Sequence, residues 1–393
     1  MDEKIDFHGH GLQALGSVDF SSDALAFIVT AGDDNEFSFT VSYPFNSHGP
    51  GAEEAHVRIL YHAEHAESNV KPILFDEKTV GWLCTVGALD STDHDYYEDK
   101  YFRRAAYAAT HALLLRGGYK QEVPVINNQD FRISDLFEEE YSLVILHRPS
   151  VGDRLGPGFR MALPCLHQYG FLPADGGLRD TSFRSAPVEL FRMVGKNLKL
   201  EIPSVDLGFD DFIEQVFSRL LPSADTPLLG FFLYYQLIEM MMAKVFAHRQ
   251  SCTIEEMQSV KGDPFRIRPL FDRLKEDMAE KKRIKLLFGD YTGVSGGAVE
   301  LAQFCNGFLR ICDVGEECSP EAALYQVRNV IFHGMRAVPA AAFNSLNDIV
   351  GQLAIIVPEL LIAFSLPETV TAEGAKTKVL EAEGEAEAEV VEG

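Results

Sequence analysis

The chain of 393 residues has room for two or three domains, and its 46% hydrophobic and 24% charged residues are those of an ordinary globular protein. Its net charge of −24 opposes broad, nonspecific adhesion to nucleic acid. No uninterrupted apolar run approaches the ~18–20 residues that cross a bilayer, and the acidic start MDEKIDFHGH is no secretory signal, so the expectation is a soluble, cytoplasmic protein with no membrane partner.

In chain order, residues 1–90 alternate short apolar segments (ALAFIVTA, FSFTVSYPF, HVRILYHA) with Gly, Asp, Asn and Pro, the pattern of strands and turns. The alanine-rich, amphipathic stretch 96–115 predicts a helix ended by Gly117 and Gly118. YSLVILHRP then returns to a strand pattern, and LKLEIPSVDLG at 198–208 marks a boundary. Beyond it the period is helical, with helices predicted over 209–221, 227–248, 268–282, 299–312, 320–335 and 341–364; only RIKLLF is ambiguous. Pro358 interrupts the last apolar run, at 355–361.

The expected fold class is therefore α+β. A β-rich α+β domain of unrecognised family spans 1–200, an all-α bundle spans 209–365, and an acidic tail spans 367–393. The tail holds eight Glu against two Lys, too little apolar surface to fold alone, and is expected to be disordered. There is no internal repeat.

The six cysteines form no CxxC pair, and the last three (Cys305, Cys312, Cys318) match no common zinc spacing, so they read as buried free thiols. No metal or cofactor is expected. DFHGHG at 6–11 contains the HxH of metal-dependent amidohydrolases, but a helical second half leaves no room for their barrel. HAEH at 62–65 and DSTDHD at 90–95 lack the helical spacing of a zincin and the glycine and glutamate of a calcium loop; loop polarity is the better account.

GVSGG at 293–297 fits the GxSxG elbow of a serine hydrolase, with Asp313 and His333 following in the right order. That elbow needs a strand before it, which only RIKLLF can supply. A phosphate cradle at a helix start is a second reading, and a glycine-rich joint between helices is the plainer one. The stretch 261–285 carries nine Lys or Arg against five Asp or Glu: a track for an RNA backbone, or a solvated helix with i, i+4 pairs.

VRNVIFHGMR at 327–336 sets Arg328, Asn329 and His333 in an otherwise apolar helical run. Residues four apart share a helix face, so Asn329 and His333 are neighbours, and the long Arg328 side chain reaches the same surface. Read alone, this is a polar patch at a helix end, with Gly334 near the C-cap and His333 favourable at the negative end of the dipole.

The pattern nevertheless resembles the RxxxxH motif of the HEPN superfamily, in which Asn is preferred directly after the Arg. The segment YQLIE, with Tyr235, Gln236 and Glu239, looks like the YQxxE of an early HEPN helix. LYQVRNVIFHG is similar to the abortive-infection, Apea-like branch. The resemblance covers roughly residues 209–365.

It implies a metal-independent endoribonuclease in which the 2′-hydroxyl attacks the adjacent phosphorus and leaves a cyclic phosphate. Such chemistry needs a proton shuttle near neutral pH, which suits His333, and a fixed positive charge against the phosphorane, which suits Arg328. Asn329 would hold the imidazole or the phosphate. Glu239, costly to bury unpaired, would pair with Arg328 or stand at an exposed helix edge, and Tyr235 would support it. The resemblance also implies a homodimer through the bundle, with motif helices of two copies meeting, and RNA as substrate in prokaryotic defence or stress. A non-catalytic bundle for dimerisation or nucleotide binding, or an accessory protein, is the alternative.

Overall fold

A computed structural model of the chain describes residues 3–6, 15–31, 37–45, 52–62, 70–116, 122–125, 131–137, 141–173, 194–208, 210–260, 263–315 and 317–367. Both histidines of DFHGHG, residues 63–65 of HAEH and the acidic tail from 368 onward lie outside the described residues.

Strands dominate the first half. β1 (Glu3–Asp6) pairs antiparallel with β8 (Glu122–Val125). β2 (Leu15–Ser21), β3 (Ala26–Ala31) and β4 (Phe37–Ser42) form an antiparallel meander. The central sheet has six strands in the order β10 (Phe171–Pro173), β5 (Ala55–His62), β9 (Ser142–His147), β7 (Lys78–Thr85), β6 (Lys71–Phe75) and β11 (Leu198–Lys199). Neighbours run antiparallel except β11, which lies parallel to β6. Short helices α1 (Val86–Asp90), α3 (Ile133–Leu136), α4 (Arg148–Val151) and α5 (Leu163–Gln168) join the strands, and α2 (Lys100–Arg116) is the long helix of this half.

The reason β9 reads as one continuous apolar run is that both its faces are covered. Successive side chains alternate across a sheet. Leu143 and Ile145 enter a core shared with β3, β4 and α2, whereas Val144 and Leu146 enter the core shared with the second half. A strand between two cores must be apolar throughout. Gly81 on β7 is required by the same closeness, since a Cβ there would lie 2.0 Å from the Ile145 carbonyl oxygen.

The second half is helical, as its period predicts. α6 (Asp211–Gln215) continues into a π-helical turn at Val216–Leu220, and α7 (Pro227–Ser259) follows. Thr226 caps α7 by accepting the Leu229 N–H at 3.3 Å, with Pro227 pre-set for the first turn. α8 (Pro264–Asp277), α9 (Glu280–Phe288), α10 (Ser295–Ile311), α11 (Pro320–Gly334) and α12 (Ala342–Ala363) complete the set.

Several boundaries differ from expectation. α7 runs eleven residues past His248, and the helix predicted over 268–282 is two helices that part at Met278 and Ala279. RIKLLF belongs to α9 and is no strand. Leu198–Lys199, at the expected boundary, is the edge strand β11; strands end there, but the core on this face of the sheet runs on unbroken from Leu60 to Phe364.

Two helices, Pro227–Ser259 and Ala342–Ala363, are long and apolar enough to cross a membrane, which corrects the reading of short runs. Pro358 sits inside α12, within the helix predicted over 341–364. Their most apolar windows are 56% and 67% buried, so the bundle core takes up much of that surface. Each fully buried Leu or Ile there, such as Leu353 and Ile349, contributes about 1.5–3 kcal/mol.

Candidate functional site

The residues singled out by the motif meet where α7, α9 and α11 come together. The start of α11 is held by Asn306 of α10, whose Nδ2 donates to the Cys318 carbonyl at 3.0 Å while its Oδ1 accepts the Cys318 N–H at 3.0 Å. Val327 and Ile331 turn the apolar face of α11 into the core. The opposite register leaves Arg328, Asn329 and His333 towards the surface, and His333 is exposed.

Arg328 is the hub. Its Nη1 donates to Asn329 Oδ1 at 3.2 Å and to His333 Nε2 at 3.3 Å. A guanidinium only donates, so Nε2 is the accepting nitrogen in this arrangement and Nδ1 carries the ring proton. Arg328 Nη2 lies 3.6 Å from Glu239 and Nε lies 3.9 Å from Glu280. Both are ion-pair distances longer than hydrogen bonds, and the buried Nε has no hydrogen-bond acceptor among the described residues.

The YQLIE segment supplies the support. Tyr235, fully buried, donates its hydroxyl to Glu280 Oε1 at 2.6 Å, and Gln236 Nε2 donates to Glu239 Oε2 at 2.5 Å. Burial, and then the Glu280 carboxylate, push the Tyr235 phenol well above its usual range, so it stays a donor. Tyr235, Gln236, Glu239, Arg328, Asn329 and His333 thus form one connected cluster.

Glu280 is the member that sequence reading missed. It opens α9, ahead of Lys281, Lys282 and Arg283, where an acid looks like a favourable N-terminal charge and nothing more. Its partners lie on helices distant in sequence, so no local pattern could mark it.

An apolar rim adjoins the polar cluster. The Phe332 and Phe232 rings lie 5.8 Å apart, and the Arg328 guanidinium sits 5.3 Å over the Phe332 ring. Leu229, Phe232, Phe332 and Met335 are each 37–43% exposed. Both pairs stand three apart on their helices, which makes the rim continuous. The face is open: depressions of about 730 and 390 Å³ on the described surface are lined by α8 and by α9 to α11, and hold none of these residues.

The other candidates resolve into structural roles. In DSTDHD, Asp90 accepts the backbone N–H groups of Ile133 and Ser134 at 3.2 and 2.7 Å, capping α3. His94 packs its ring 4.8 Å from Phe102. GVSGG runs from the turn after α9 into the first turn of α10, which begins at Ser295, and the strand that a hydrolase elbow demands is replaced by helix. Within the basic stretch, Asp277 is buried and accepts from Arg249 at 3.0 Å, and Arg273 pairs with Glu256. All six cysteines are free; Cys84, Cys165 and Cys305 are buried, and burial pushes the Cys84 thiol up to about 12. Among the described residues no group of three His, Cys, Asp or Glu is placed to share a metal ion. The chain matches no protein-family model, no curated protein and no solved structure.

Proposed function

We propose that the chain is a HEPN-like protein acting as a metal-independent endoribonuclease, cytoplasmic and engaged in prokaryotic defence or stress. The observation that carries this reading is the surface cluster in which Arg328 holds both Asn329 and His333, with His333 open to solvent.

The chemistry follows from those side chains. An imidazole can both take and give a proton, which suits removal of the 2′-hydroxyl proton or protonation of the leaving 5′-oxygen. Attack of that 2′-oxygen on phosphorus closes a cyclic phosphate and expels the 5′-hydroxyl. Arg328 offers fixed positive charge to the phosphorane, aimed by Asn329 and by the carboxylates behind it. One copy supplies one arginine and one histidine. The apolar rim of Phe232, Phe332 and Met335 fits a second copy, whose motif would complete the site.

The test is cleavage of single-stranded RNA with chelator present. Wild type should yield 2′,3′-cyclic phosphate ends, and His333→Ala should lose the activity; equal cleavage by both would defeat the assignment.

A second reading rests on one observation. Arg328 faces two carboxylates, Glu239 and Glu280, so the local charge is already more than neutralised before any phosphate arrives. That favours a non-catalytic bundle for dimerisation or nucleotide binding. It requires dimers in solution, and no cleavage from wild type or from Glu239→Gln.

A further inference from the structure

α8 is the least covered long helix of the described bundle. Of its fourteen residues only Asp277 is buried, and among the described elements it packs mainly on α7 and α9. Phe265 is 89% exposed, Phe271 59%, and Met278 at its end 63%. Phe271 and Met278 are seven residues apart, two helical turns, so they share a stripe with Ile267 and Leu274. Large apolar side chains displayed this way mark a surface that another segment covers.

The charge of this surface is equally out of place. Between 264 and 288 the chain carries eight Lys or Arg against four Asp or Glu, within a protein of net charge −24. Two of those acids are committed: Asp277 to Arg249, and Glu280 to Tyr235 and Arg328. Arg266, Arg268 and Lys275 stand exposed along α8. An occupant must therefore be acidic and also carry apolar side chains.

We infer that the occupant is the chain's own acidic segment, residues 368–393, docked along α8. This segment holds eight Glu against two Lys, with Val379, Leu380, Val390 and Val391 among them. Its root is linked to the C-terminal end of α8 through a relay of side chains. Ser365 donates its N–H to the Tyr291 carbonyl at 2.8 Å, and Leu366 donates its N–H to Asp206 at 2.7 Å. The Tyr291 hydroxyl is 2.7 Å from His248 Nδ1, and the next residue of α7, Arg249, binds Asp277 at the end of α8.

Reach is no obstacle. Twenty-six residues span at most ~90 Å, and a fourteen-residue helix is about 21 Å long. Tethering holds the segment at an effective concentration on the order of millimolar, an advantage that a separate polyanion facing a net charge of −24 does not have. A second copy of the chain brings the same basic face and the same negative total charge, so it complements α8 less well. The inference stands independently of the ribonuclease reading.

The test uses the full chain. A photo-crosslinking benzophenone residue replaces Phe271, and an equal mixture of ordinary and ¹⁵N-labelled protein is irradiated and digested. Adducts should fall within 368–393 and join peptides of the same isotope. Introducing R266E, R268E and K275E together, all at exposed positions, should lower their yield about fivefold, and raising the salt to 0.5 M should act in the same direction. Adducts that mix isotopes, adducts confined to other segments, or a yield unchanged in the charge-reversed protein would each overturn the proposal.

Discussion

Tyr234 and Tyr235 are adjacent on α7, both fully buried, and they serve opposite sides of the molecule. Tyr234 looks back to the sheet half, its hydroxyl 2.6 Å from Nε2 of the buried His167 on α5. Tyr235 looks towards the surface cluster, where it holds Glu280 behind Arg328 and the exposed His333. One helix thus carries two tyrosine-anchored polar groups, one sealed in the shared core and one opening to solvent. The difference teaches how a histidine's surroundings decide its use. Burial drives the His167 imidazole down to about 4, so it stays neutral and structural, whereas His333 is free to meet a ligand.

The strongest way to break this comparison is to remove each imidazole in turn. His333→Ala should reduce RNA cleavage by about 10²–10⁴-fold while changing stability by less than ~0.5 kcal/mol, read by cleavage assay and denaturant melts. His167→Ala should do the reverse in stability, costing about 3 kcal/mol through the cavity and the lost hydrogen bond. If the two substitutions destabilise equally, the contrast between the sealed and open groups is wrong.

pH sharpens it further. The unfolded chain protonates this imidazole below its ordinary 6.5, the folded chain only near 4. The folded state therefore binds fewer protons between those values, and stability present above pH 6.5 is lost as the pH falls towards 4, by about 3 kcal/mol. Urea melts across that range should show the loss, and His167→Phe should flatten it.

The smallest expected effects come from the tyrosines. Tyr235→Phe removes the hydroxyl donor to a buried-side carboxylate and should cost about 1.5–3 kcal/mol, with Tyr234→Phe nearer ~1 kcal/mol because its partner is neutral. Only Tyr235→Phe should also lower RNA cleavage, because only Tyr235 braces the acid behind Arg328.

Much of this was open to reading because helices write their pattern locally. The spacing of Arg328, Asn329 and His333 places them within reach of one another on any helix, and the YQLIE segment sets Tyr235, Gln236 and Glu239 within two turns. The change from strand to helix near 200 was visible in the change of period, and so was the apolar run of β9. Where readings missed, the deciding contact was remote. Glu280 joins the cluster from a helix whose own sequence looks basic. Leu198–Lys199 reads as a linker because two residues carry no period, and it is a strand only because β6 offers an open edge. The helix predicted over 227–248 stops short of Ser259 because the end of α7 is polar, and its partners, Asp277 for Arg249 and Arg273 for Glu256, lie on α8.

The sequence by itself determined the mixed architecture, the order of helices and the residues of the motif, since periodicity and spacing are properties of neighbouring positions. Only the tertiary structure decided that sheet and bundle share one core, that Glu239 and Glu280 both face Arg328, and that His167 is sealed while His333 is open. Burial and charge pairing depend on which distant segments meet, and no local pattern encodes that meeting.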